Sequence, residues 1–118
     1  MMDNMPTKKT TINVRVPVYI FVEDGIHVAY TPMLELSSYG KSVDDAKKAF
    51  EEAVEIFFEE TQEKGTLEKV LLQLGWQLQQ KPKAVYKEPP ISKSLSARLQ
   101  KKAPKTIYKE RIKIPVTS

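Results

Sequence analysis

The chain has no cysteine. That excludes a disulfide scaffold and any thiolate metal site, and it fits a reducing compartment. Histidine occurs once, at His27. With no Cys or Ser nucleophile context it reads as a surface strand residue, not a catalyst. The four glycines are scattered singly, each at a turn or helix end, so there is no phosphate-cradling glycine loop. No run approaches the ~18 to 20 apolar residues of a membrane span. The N-terminal stretch MMDNMPTKKT lacks the apolar h-region of a signal peptide. The expected location is the cytoplasm.

What is present is one domain's worth of chain, 118 residues with 41% apolar and 29% charged side chains. The net charge of +4 hides an asymmetry: residues 1–80 sum to −5 and residues 81–118 to +9. Five of the eight prolines (Pro82, Pro89, Pro90, Pro104 and Pro115) lie in that last third. The expected organisation is an acidic α+β body over 11–80 and an extended, proline-broken basic tail over 81–118. Such a tail suits an anionic partner or an internal charge match.

Residues 1–10 are polar and read as frayed. Ile12, Val14, Val16, Val18, Ile20 and Val22 then occupy every second position, the pattern of a strand with one buried face. Pro17 interrupts it on the opposite parity, which predicts a core strand over Val18–Glu23 and a separate extended arm over Thr11–Val16. Asp24-Gly25 predicts a tight hairpin into Ile26–Thr31. Leu34, Leu36 and Ser38 suggest a short third strand. Ser42 has the position of a helix N-cap, with Asp45 three residues on. Val43, Ala46, Phe50, Ala53, Val54 and Phe57 follow at helical spacing, opposite an acidic face of Asp44, Glu51, Glu52, Glu55, Glu59 and Glu63. Phe58 and Ile56 widen the apolar arc beyond what one small sheet needs, which points to a homodimer. Gly65 stops that helix, Thr66 caps a short second one over Leu67–Leu74, and Trp76-Gln77-Leu78 suggests a fourth strand. Further on, Ser92–Lys102 suggests a short helix. Ile112, Ile114 and Val116 alternate like a strand that needs a sheet edge, in this chain or in a second protomer. The segment Glu110–Val116 echoes Asn13–Val18.

Three stretches, Tyr19–Tyr30, Tyr30–Leu36 and Tyr39–Ala53, together resemble the HicB antitoxin family. Asp24, Gly25, Ala29, Pro32, Leu34, Gly40 and Ala46 stand at matching positions, with Ser42 where the family often has Thr. The match covers roughly residues 12–76. It implies a partial RNase H-like fold, a small antiparallel three- to four-stranded sheet packed on one long helix. It also implies a role in a toxin–antitoxin system, neutralising a small basic RNA-cleaving toxin, HicA, by protein–protein contact. Family members often add a ribbon-helix-helix or helix-turn-helix segment for operator DNA. Residues 81–118 show neither motif, a departure that leaves operator binding open and is compatible with a solitary member.

An RNase H-like fold invites a search for metal-binding carboxylates. Glu23, Asp24, Asp44, Asp45, Glu51 and Glu52 each have an ordinary explanation in a turn, a helix start or a solvated face, so no catalytic residue, metal or cofactor is expected. The acidic helix face reads as solvated exterior or, more sharply, as the docking face for the toxin, through Glu51, Glu52, Glu55 and Glu59. The basic tail reads as solvated or self-docked. Its functional alternative is a DNA- or RNA-binding regulator contacting phosphates through Lys93, Arg98, Lys101, Lys102 and Lys105. Arg98, Lys101, Lys102 and Lys105 would share one side of a helix only if it ran past Pro104. The leading expectation is a non-catalytic, HicB-like antitoxin-type binding module.

Overall fold

Asp24 and Gly25 both adopt positive φ, 51° and 78°. This is the conformation of a two-residue turn whose twist matches that of its strands. The turn joins β1 (Lys9–Glu23) to β2 (Ile26–Thr31) in antiparallel register, with Glu23 opposite Ile26 and Tyr19 opposite Tyr30. β3 (Leu36–Gly40) pairs along β2. The computed structural model describes residues 9–79 and 85–117. Of the stretch 1–10 expected to be frayed, residues 1–8 lie outside the described residues, as does the 80/81 boundary, whereas Lys9 and Thr10 are paired in β1 with Thr117 and Val116.

β1 is one strand of 15 residues that continues through Pro17, not a core strand and a separate arm. β2 pairs with β1 only from Tyr19 onward, so at Pro17 the strand has a neighbour on one side alone. A residue without an N–H is tolerated at such an edge.

Ser42 caps α1 (Val43–Glu63), its hydroxyl accepting a hydrogen bond from the Asp45 N–H at 3.1 Å. Asp44 and Asp45 in the first turn suit the positive end of the helix dipole. The buried stripe is Ala46, Phe50, Val54, Phe58 and Thr61. Phe58 therefore belongs to the core, whereas Val43, Ala53 and Phe57 flank it half-buried and Ile56 faces solvent. The apolar face is rotated from the one expected, and Phe58 goes inward, not into surplus outer surface.

α2 (Leu67–Gln73) follows, and its Thr66 makes no side-chain cap. Trp76 is 1% exposed and donates its indole N–H to the Met33 carbonyl at 2.8 Å. This bond ties the segment after α2 to the β2–β3 loop. β4 (Gln77–Gln79) is a strand, but it pairs with β5 (Val85–Lys87) in a separate two-stranded sheet.

The last third supplies α3 (Lys93–Lys101) and β6 (Thr106–Thr117). Ser92 caps α3 through the Leu95 N–H at 3.1 Å. β6 pairs antiparallel with β1 from Lys9↔Thr117 to Ile20↔Thr106, giving the order β3-β2-β1-β6. The architecture is thus α+β, a four-stranded antiparallel sheet with three helices. The edge that the terminal strand needs lies within this chain, so residues 106–117 belong to the main sheet and are not an extended tail.

Residues directly opposite each other in these ladders share a face, and faces alternate along each strand. The inner face carries Val16, Val18, Ile20, Ala29, Ile112 and Ile114, which cluster with Phe50, Val54, Phe58, Leu71, Trp76 and Tyr86. The outer face carries Tyr19 and Phe21, covered by Leu99 and Leu95 of α3 with Tyr30 beside them.

Candidate functional site

Two surfaces carry chemistry, one on each side of the sheet. The first is a groove between α1 and β6. Its lining includes Glu51, Glu55 and Glu59 from the helix and Glu110 from the strand, over the apolar Val54, Phe58 and Ile112. Glu110 sits on the inner face because it lies opposite Val16. Burial pushes the Glu110 carboxyl above its ordinary range, the charge of Glu51 adds to this, and Lys47 opposes it. Beside it, burial and then the charges of Glu110 and Glu51 push the Tyr108 phenol up to about 12. The Tyr108 hydroxyl is buried without a hydrogen-bond partner, while Lys47 Nζ stands 4.7 Å from the centre of its ring. The groove is therefore rimmed by four carboxylates together with Arg111 and Lys113 of β6, and apolar in its floor. It runs beside the outer edge of β6, which among the described residues pairs only with β1.

Three of the four expected toxin-facing glutamates, Glu51, Glu55 and Glu59, meet in this groove. Glu52 is exposed but not among its lining residues. Glu110 was not foreseen. Its signal was available: it is one of only two acids in the basic last third, and it falls on the parity of Ile112 and Ile114.

The second surface is basic. Of the five expected phosphate-contacting residues, Lys93, Arg98 and Lys101 lie on α3, and Lys102 is its C-cap. Arg98 and Lys102 flank a shallow groove with Phe21, Glu23, Val28 and Tyr30, and Lys102 Nζ lies 5.8 Å from the centre of the Phe21 ring. Lys105 does not continue that helix. Ala103 takes φ +52° and the chain turns, after which the Lys105 N–H donates to the Ile20 carbonyl at 2.7 Å. The Lys105 ammonium donates instead to His27 Nε2 at 3.3 Å. The other ring nitrogen, Nδ1, is buried without a hydrogen-bond partner among the described residues.

No family model, curated protein or solved structure matches the chain. The geometry alone then limits the chemistry. Among the described residues no cluster of three or more His, Asp or Glu is placed to hold a metal ion. Of the candidate carboxylates, Asp24 sits in the hairpin turn, Asp44 and Asp45 in the first turn of α1 and Glu23 at the end of β1, while Glu51 lines the α1–β6 groove. Among the described residues no helix is long and apolar enough to cross a membrane.

Proposed function

We propose that this chain is a non-catalytic, HicB-like antitoxin-type module with a partial RNase H-like core, and that it neutralises a small basic RNA-cleaving toxin by contact. The observation that carries the reading is the α1–β6 groove. Four carboxylates outnumber Arg111 and Lys113 around an apolar floor, and Glu110 is held partly desolvated with the charge of Glu51 acting on it. Like charges crowded beside apolar surface are costly when free and are relieved when a cation arrives. A partner segment with Lys or Arg on one side and apolar residues on the other answers both features. The edge of β6, which has no strand partner but β1 among the described residues, offers main-chain hydrogen bonds to the same segment if it is extended. Inhibition then follows from occlusion, and no group on this chain needs to react.

The test is co-expression with any small basic protein found encoded beside its gene. The wild-type chain is expected to relieve the growth arrest caused by that product. A Glu51→Lys/Glu55→Lys/Glu59→Lys variant, still folded by circular dichroism, is expected to fail. Equal rescue by the variant, or the absence of any toxic neighbour, overturns the reading. The alternative, nucleic-acid binding by the C-terminal third, is favoured by a separate observation on the opposite face of the sheet.

A further inference from the structure

Beyond Tyr19 the strands β1 and β6 leave β2 behind and run on together as a two-stranded ribbon. Its inner face is buried through Ile112 and Ile114. Its outer face shows Arg15 opposite Arg111, Asn13 opposite Lys113, and Pro17 opposite Lys109. Arg15, Lys109, Arg111 and Lys113 are all exposed. None of the four is ion-paired to a carboxylate among the described residues. The only acid on this face among the described strand residues is Glu23, at the far hairpin end. α3 packs on the same face, carries no acid in its first turn, and adds Arg98 and Lys101.

Like charges directly opposite each other across an antiparallel pair destabilise it. Protection of a sheet edge explains single cations on β6, since charge on an edge strand discourages stray pairing. It does not explain Arg opposite Arg. A carboxylate at position 15 would protect the edge equally well and would pair with Arg111. The arrangement makes sense when an anion bridges the two guanidinium groups.

We propose that this outer face of the β1–β6 ribbon binds duplex DNA through its phosphates. Lys109, Arg111 and Lys113 recur every second residue, so they are spaced ~7 Å apart along the strand. Arg15 lies one strand over, ~5 Å away in the backbone. Long cationic side chains on two adjacent strands reach both walls of a B-form major groove, which is ~12 Å wide; the major groove of A-form RNA is too narrow. Among the described residues the ribbon's outer face from Thr11 to Pro17 and from Lys109 to Pro115 carries no aromatic residue to stack on unpaired bases, which disfavours single strands. Since its inner face is buried, the ribbon lies across the groove without inserting into it. The binding is therefore insensitive to base sequence. Arg111 and Lys113 also border the α1–β6 groove, so the two surfaces meet along β6, but DNA binding by the ribbon does not rest on the toxin reading.

The test is fluorescence anisotropy with a labelled 24-base-pair DNA at several salt concentrations, using the full chain. The wild type is expected to bind with a steep salt dependence and to be competed equally by unrelated duplexes. An Arg15→Gln/Arg111→Gln/Lys113→Gln variant is expected to lose roughly 2 to 3 from the slope of log K against log salt. Lys69→Gln, far from the ribbon in sequence and on α2, is expected to leave the slope unchanged. A second readout separates binding from structural damage: Arg111→Gln alone removes the cross-strand repulsion, so its Tm is expected to rise by about 1 to 4 °C while DNA affinity falls. An unchanged salt slope in the triple variant overturns the proposal. So does a preference for duplex RNA, for single strands or for an acidic peptide over duplex DNA, or a fall in Tm on Arg111→Gln.

Discussion

The two faces of the sheet do different work. The inner face buries fifteen residues in one cluster with α1, Trp76 and Tyr86. The outer cluster buries three, Tyr19 and Phe21 of β1 with Leu99 of the nine-residue α3. One face holds the fold together, and the other is left largely free to carry charge. Sequence alternation made this division possible, because each residue of β1 and β6 is committed to one face by its parity.

Truncating the large side chains tests the contrast most severely. Phe50 is fully buried and Trp76 is 1% exposed, so Phe50→Ala or Trp76→Ala is expected to cost roughly 3 to 5 kcal/mol in chemical denaturation. Phe57→Ala, at a half-buried flank, is expected to cost less. Leu99→Ala on the outer face is expected to cost about 2 kcal/mol, the low end for a buried leucine, because α3 is free to settle. A Leu99 effect as large as that of Phe50 would mean that both faces share one cooperative core.

Gly40 sharpens the same contrast from the backbone side. It ends β3 where the chain turns into α1, and a Cβ there would run into the Ala46 N–H and lie 2.7 Å from the Asp45 carbonyl carbon. Both are backbone atoms of the first helical turn and have no rotamer to yield. Gly40→Ala is expected to cost roughly 1 to 3 kcal/mol, as overpacking does in a tight core. A silent substitution would show that α1 is less firmly seated on the inner face than its burial suggests.

The inner face was also the more legible one. β-branched residues at every second position, the Asp24-Gly25 turn and the Ser42 cap are local signals, and each specifies its own element. Where local signals ran out, so did the reading. Adjacent Phe57 and Phe58 fit helical periodicity about equally well, so only packing against the sheet decides that Phe58 points in. Pro17 suggested a break because a sequence does not show that β2 stops short of it. The three-residue strand at Gln77–Gln79 carries no information about its partner. The resemblance between Asn13–Val18 and Glu110–Val116 has a concrete origin. The two segments pair with each other over Asn13–Val16 and Glu110–Lys113, and both need apolar residues on one parity and charge on the other. The cations of the last third were visible by composition. That Arg15 joins Arg111 on one surface required the register, which spans nearly the whole chain. The acidic groove was half legible: α1 periodicity grouped its glutamates, but Glu110 reaches them only through that pairing.

Glu110 offers a gentler test, since it is a charge placed on the apolar face. Its carboxyl is raised by burial first and by Glu51 second, against Lys47. A carboxyl with a raised folded-state pKa binds more protons folded than unfolded, so its ionisation works against the fold at neutral pH. Glu110→Gln is expected to raise Tm modestly at pH 7. The advantage should shrink as the pH falls and vanish below about pH 4, where the carboxyl is protonated in both states. A Tm advantage that does not change with pH would assign the effect to packing and not to charge.

The smallest effect is expected at Tyr108, which shares this rim. Its hydroxyl is buried with no partner, and burial is the main cause that lifts its phenol to about 12. Removing an unsatisfied polar atom while keeping the ring relieves a desolvation cost. Tyr108→Phe is therefore expected to be neutral or to stabilise by up to about 1 kcal/mol at pH 7. The sign at high pH follows from the same shift. The folded chain holds the phenolic proton beyond the ordinary value of 10.0, so wild-type stability should fall between pH 10 and about 12 as the unfolded state ionises first. The Phe variant lacks that component of the alkaline loss, and melting both proteins from pH 8 to 11 measures it. Destabilisation by Tyr108→Phe at neutral pH would show that the hydroxyl has a partner at the groove. The inner face would then be polar there by construction, and the division between a packed face and a charged one would end at β6.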